Sequence, residues 1–175
     1  MLVSGILMHS LEVNDLLVRL IQDEDFVNYK LSSMFIALGH CDWKCCKEAD
    51  IPISVCQNSE LAKQKEIEVS VDEIFHRYIQ NPITKAIVIG GLEPMGMSGK
   101  ILDLIKYFRD NGCNDDFVIY TGFYKNEILA IITQLKKYSN IIVKFGRFIP
   151  NSQKKFDDVL GVTLVSDNQY AERIS

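Results

Sequence analysis

Four of the five cysteines fall within sixteen positions, in the stretch Cys41-Asp42-Trp43-Lys44-Cys45-Cys46 and then Cys56. Thiols this dense serve as disulfide partners or as metal ligands. Five is an odd number, so a disulfide framework would leave one cysteine without a partner, and in a reducing compartment clustered cysteines bind metal or catalyse. Thiolates select soft metals, zinc or an iron–sulfur cluster. Structural zinc takes ligands in short-spaced pairs such as Cys-x2-Cys. Cys41-x3-Cys45 matches that pattern loosely and no second short pair follows, although His40 or Cys46 would supply a fourth ligand. A cluster held by three cysteines would instead leave one iron open for chemistry. On the residues alone both metals stay open.

The elements that must position these thiols read as strands followed by short special segments. Met34–Gly39 is a continuous apolar run that leads into the cysteines. Lys85–Ile89 leads into Gly90-Gly91-Leu92-Glu93-Pro94, Phe117–Tyr120 into Thr121-Gly122, and Asn140–Phe145 into Gly146-Arg147-Phe148. Continuous apolar runs of this length suit strands buried on both faces. Between them, Val71–Gln80 is predicted helical. Ser70 is its N-cap, Glu73 completes a capping box, and Asn81-Pro82 stops it. Ile101–Asn111 is an amphipathic helix closed by Gly112 at its C′ position, and Asn126–Tyr138 is a third.

This alternation predicts an α/β fold with a parallel sheet. The small number of units suits a partial, open parallel barrel, since the full eight-fold form typically needs ~250 residues. All four special segments then lie at one carboxyl edge, where α/β proteins build their sites. Less regular stretches complete the reading. Leu2–Met8 is expected as a short strand, and Val13–Ile21 is unresolved between helix and strand. Gln22–Asp25 is expected as a polar break, Gln57–Glu68 as irregular with a turn near Leu61, and Ile149–Asp158 as loop. Val162–Val165 is expected as the last strand before a polar tail.

At 175 residues, 47% hydrophobic and 24% charged, the chain is expected to form one domain with a full core. A net charge of -4 gives no general attraction to nucleic acid or to an anionic membrane. No targeting segment is evident and no apolar stretch approaches the roughly 20 residues of a membrane span. The chain is therefore expected in the cytoplasm.

Taken together, the motifs carry a family resemblance. Cys41-x3-Cys45 followed by Cys56-Gln57-Asn58 resembles the cysteine loop of the radical S-adenosylmethionine (SAM) superfamily, and Gly90-Gly91-Leu92-Glu93-Pro94 resembles its Gly-Gly-Glu-Pro motif. Residues 118–123, Gly146-Arg147-Phe148-Ile149 and Ser166-Asp167-Asn168-Gln169 are similar, in order and spacing, to the activating enzymes of anaerobic ribonucleoside-triphosphate reductase. There are two departures. Ten residues separate Cys45 from Cys56 where the family has two, and Leu92 is inserted before Glu93.

The resemblance implies a [4Fe–4S] cluster on Cys41, Cys45 and Cys56, with SAM chelating the fourth iron through its amino and carboxylate groups. The x3 spacing favours Cys45 over Cys46 as second ligand. Gly90, Gly91, Glu93, Thr121, Arg147, Ser166 and Asn168 are implied SAM contacts, with Glu93 accepting from the ammonium group. An electron donor such as flavodoxin or ferredoxin would drive SAM cleavage to a 5′-deoxyadenosyl radical. That radical would take hydrogen from a glycine of an anaerobic ribonucleotide reductase. Two other readings compete: a radical SAM enzyme with another small-molecule or peptide substrate, and a non-catalytic zinc-binding module. Among the neighbouring residues, Cys46 is read as a spare thiol and Cys113 as a small buried hydrophobe. His40 is read as a neighbour of the site, and His76 as a surface residue. Trp43 either packs over the site or covers the loop. Ser166, Asn168 and Gln169 either contact SAM or hold the C-terminal segment down.

Overall fold

A computed structural model describes residues 15–175. The expected strand over Leu2–Met8 and the first residues of Val13–Ile21 lie outside the described residues. In chain order the elements are β1 (Asp15–Asp25), β2 (Ser33–Leu38), α1 (Lys44–Ala49), β3 (Ile67–Ser70), α2 (Val71–Gln80), β4 (Ala86–Gly91) and α3 (Ser98–Asp110). There follow β5 (Asp116–Tyr120), α4 (Leu129–Leu135), β6 (Ile141–Phe145), β7 (Lys155–Asp157), β8 (Val162–Leu164) and β9 (Tyr170–Arg173).

Seven strands form one sheet in the order β3-β1-β2-β4-β5-β6-β9. The four apolar runs are its parallel centre, β2-β4-β5-β6. Antiparallel strands flank it, β1 and β3 on one side and β9 on the other. The fold is thus mixed α/β, and the carboxyl ends of the four central strands share one edge.

Each central strand is buried on both sides, which is why its sequence is continuously apolar. On one face Ile87, Ile89, Phe117, Ile119, Ile141 and Val143 pack against α2, α3 and α4 through Ile74, Leu104, Phe108 and Leu135. Phe108 meets Phe75 and Phe117 edge-on, with ring centroids 5.0 and 5.2 Å away, an arrangement favoured by the ring quadrupoles. On the other face Val88, Val118 and Ile142 are covered by Tyr29, Leu160 and Leu164. Asp157 fastens this cover to the sheet, accepting from Leu160 N and from Ala171 N at 2.9 Å each.

The helix ends obey the expected local chemistry. Ser70 Oγ accepts from Glu73 N at 3.1 Å. Past α3, Gly112 lies at φ +81°, with Gly112 N bonded to Arg109 O and Cys113 N to Phe108 O. That double closure is the Schellman motif, and it needs a residue without Cβ strain at C′.

Four expectations are corrected. Asp15–Asp25, including the supposed polar break, is one long strand whose Leu16 and Val18 point into the core while Leu17 faces out. Two bulges interrupt its pairing with β2 and blur the alternation that would have announced it. Val162–Leu164 pairs only with β7, inside the stretch read as loop, in a separate hairpin. The last strand of the main sheet is β9, within the polar tail, where an edge position tolerates charge. The third helix is shorter than Asn126–Tyr138, with a 3₁₀ turn at Lys125–Glu127 before α4. Among the described residues, no helix is long and apolar enough to cross a membrane.

Candidate functional site

The loop after β2 begins the site. Glu93 N donates to His40 O at 2.7 Å, joining the segments that follow β2 and β4. Trp43 then adopts the left-handed conformation (φ 58°) that starts α1, and its N–H donates to Cys41 Sγ at 3.3 Å. This short helix, absent from the sequence reading, carries Cys45 and Cys46 on successive positions, so they leave its axis in different directions. A 3₁₀ turn at Ile53–Val55 brings Cys56 back beside them. Cys41, Cys45, Cys46 and Cys56 all line one cavity, together with Trp43, Asn58, Gly91, Glu93, Thr121 and Gly122. Trp43 therefore belongs to the wall of the site.

Burial pushes the Cys41 thiol up to about 12, against the pull of the Trp43 N–H. It also raises Cys45 and Cys46. These are protonated thiols until a metal displaces their protons. All five cysteines are free. Among the described residues, no three His, Cys, Asp or Glu side chains are drawn close enough to ring a single metal ion. Cys41, Cys45, Cys46 and Cys56 nonetheless share one cavity, and thiols are ligands for zinc and for iron–sulfur clusters alike.

Glu93 is 8% exposed and its pKa is raised by burial. Three donors hold it: Met95 N (3.0 Å) and Thr121 Oγ1 (2.7 Å) on Oε1, and Gly122 N (2.8 Å) on Oε2. A carboxylate has about four acceptor positions, so one remains on Oε2. Two glycines make room here. A Cβ on Gly122 would lie 3.1 Å from Cys45 Sγ and 3.4 Å from Glu93 Oε2. Gly91, at φ +84°, would drive a Cβ to 2.7 Å from the Ala37 Cβ.

Of the ten expected site residues, Cys41, Cys45, Cys56, Gly91, Glu93 and Thr121 meet at the main cavity. Thr121 acts on Glu93 through its hydroxyl. Gly90 lies instead between Phe35 and Tyr120, where a Cβ would be 3.3 Å from each. Arg147 lines a smaller adjoining cavity. Its guanidinium is taken up by Glu127 (2.7 Å twice), Glu48 (2.5 Å) and Gly122 O (3.2 Å), over the Tyr124 ring. Ser166 exchanges hydrogen bonds with the Ile149 backbone, and Asn168 Nδ2 donates to Arg147 O and Tyr124 OH. Both hold the C-terminal segment in place. His40 is exposed, and His76 lies on the surface with Nδ1 at 2.8 Å from Asp72 O.

Of two further cavity residues, Lys144 had no expected role, and Gln169 was expected either to contact SAM or to hold the C-terminal segment down. Lys144 is 7% exposed, and among the described residues its nearest partners are Gly146 O at 3.3 Å and the Tyr120 ring. Burial lowers its pKa to about 8, with Cys45 and Glu93 pulling it back up. A single lysine inside an otherwise apolar strand was the available signal. Gln169 lines the same cavity with Oε1 buried and unpartnered, while Nε2 donates to Gly146 O.

The thiol-lined cavity agrees with what comparison finds. A family model described as a 4Fe-4S single cluster domain matches residues 33–170, most of the chain and all of the rim. No curated protein matches it.

Proposed function

Because the chain belongs to the 4Fe-4S single cluster domain family, we propose that it is a radical SAM enzyme activating an anaerobic ribonucleotide reductase. One observation carries the reading: Cys41, Cys45, Cys56 and Glu93 line the same cavity, and Glu93 Oε2 accepts one hydrogen bond where Oε1 accepts two. A cluster on Cys41, Cys45 and Cys56 would keep one iron facing that space, beside an acceptor suited to an ammonium group.

The parallel centre of the sheet is read as the partial, open barrel of the radical SAM type, in one cytoplasmic domain spanning residues 1–175. Within it each residue has a physical task. Thr121, Met95 N and Gly122 N fix the Glu93 carboxylate so that it meets an amino group without reorganising. Gly122 clears space beside Cys45, and Gly91 lets the end of its strand pack against Ala37 and Leu61. Lys144 lacks a carboxylate partner among the described residues, and a buried ammonium without one is costly. It would face the carboxylate of SAM, with Gln169 Oε1 accepting from a cofactor hydroxyl or amine. Arg147, Ser166 and Asn168 hold the rim around this space. Cys46 stays a bystander, packed beside Cys56. When bound, cluster and SAM supply an electron-driven break of the sulfonium carbon–sulfur bond, giving methionine and a radical that takes hydrogen from a glycine. The electron would come from a flavodoxin or ferredoxin.

The test mixes anaerobically reconstituted protein, SAM, a reductant and the candidate reductase, and looks for a glycyl radical by paramagnetic resonance. A doublet appearing only with all four components supports the proposal. SAM cleavage without that signal would move the substrate to another peptide or small molecule.

A further inference from the structure

Ten residues separate Cys45 from Cys56, and a longer loop costs more entropy to close. The segments that flank the cysteine stretch, before Cys41 and after Cys56, meet at a single side chain. β1 and β2 pair Val18 with Leu38 and Leu20 with Ala37, which leaves Arg19 as an extra residue on β1. A bulge of this kind re-aims the side chain it carries. Arg19 Nε and Nη2 donate to Gly39 O at 3.2 and 3.0 Å, two residues ahead of Cys41. Its Nη1 donates to Ala62 O at 3.0 Å and to Gln64 O, both beyond Cys56. Nη2 also pairs with Glu66 Oε1 at 2.9 Å. Gly39 admits this packing, because a Cβ there would fall 2.5 Å from Glu66 Oε1. The bonds to Gly39 O and Ala62 O are partly buried, while those to Gln64 O and Glu66 are exposed.

Resting on the reading of Cys41, Cys45 and Cys56 as ligands, we infer that Arg19 is a positioning residue for the cluster, clamping together the segments that flank the cysteine stretch. It touches no thiol. Its planar fork serves three carbonyls and a carboxylate at once, a geometry lysine cannot reproduce. Asn58 Nδ2, bonded to Gly91 O, adds a tether inside the clamped span. Partners behind a metal ligand commonly tune affinity by about 10–100-fold.

The experiment reconstitutes wild type, Arg19→Gln, Arg19→Lys and Cys56→Ala without oxygen. It then follows cluster loss to a chelator, the paramagnetic spectrum of the reduced cluster, and far-ultraviolet circular dichroism. Arg19→Gln is expected to keep the wild-type dichroism, lose its cluster about tenfold faster and broaden the spectrum, with Arg19→Lys failing to restore either. Wild-type loss rate and spectrum in Arg19→Gln would overturn the clamp. Should that variant not fold, Glu66→Gln decides, because it removes only the carboxylate that pins the guanidinium. Unchanged cluster lifetime there contradicts the proposal, and faster loss supports it. A cluster retained in Cys56→Ala would overturn the ligand reading and the clamp together.

Discussion

At Glu93 the number of donors matters more than the charge. Three donors already point at its oxygens, so Glu93→Gln must turn an amide NH₂ toward one of them. A buried donor facing a donor costs roughly 1–3 kcal/mol. Thermal unfolding should show that loss, and calorimetric titration should show weakened SAM binding, while iron per chain stays at the wild-type level. Gly122→Ala should lower both quantities. Its new Cβ would displace Cys45 Sγ or the Glu93 carboxylate, so iron content should fall together with SAM affinity. Among the thiols, Cys41→Ala, Cys45→Ala and Cys56→Ala should each abolish cluster binding on reconstitution, and Cys46→Ala should retain it. A cluster lost in Cys46→Ala and kept in Cys45→Ala would exchange their roles.

Among the elements, legibility followed burial. The four central strands read clearly because two apolar faces leave no room for polar residues, and α2 read clearly because its cap and its stop are local chemistry. Ser70→Ala should therefore cost about 1 kcal/mol of stability in denaturant titration, since it strips the acceptor from Glu73 N. Elements defined by tertiary context were hidden. β1 carries bulges, α1 is only six residues long, and β9 is a charged edge strand. The site divides the same way. Cysteines and a glycine-rich strand end are unusual types, visible wherever they stand. Lys144 and Arg19 are ordinary polar residues that acquire meaning only where the sheet places them. Arg147 was visible as a residue of the rim, but not as one whose guanidinium is spent on Glu127 and Glu48, and for Ser166 and Asn168 the sequence left open whether they contact SAM or hold the C-terminal segment down.

For the whole molecule, the cavity is a place where the fold gives up stability. Lys144 has an ordinary pKa of 10.5 and is lowered to about 8 in the folded chain. Between those values the unfolded state holds a proton that the folded state has released, so stability rises with pH across the window. Below about 8 the full cost of the buried ammonium is present, on the order of 3 kcal/mol at 1.36 kcal/mol per unit. In cluster-free protein, Lys144→Met should therefore be more stable than wild type at pH 7, and the difference should shrink by pH 9.5. The raised thiols act in the opposite sense above their ordinary value of 9, and they cancel in this comparison. A difference that does not change with pH would show that Lys144 keeps its proton in the fold as it does in the unfolded chain, and that its pKa is not lowered. Because cluster binding must expel the thiol protons, chelator-resistant loading should also rise between pH 7 and 8.5.

The central claim is that three thiolates hold the cluster and leave one iron beside Glu93 for SAM. Its most direct test is the product of a single reduction. Reconstituted protein, given dithionite and SAM without any partner and analysed by chromatography, should yield 5′-deoxyadenosine and methionine in equal amounts, and Cys56→Ala should yield neither. Protein loaded with four irons and four sulfides per chain that leaves SAM intact under reduction would contradict the account.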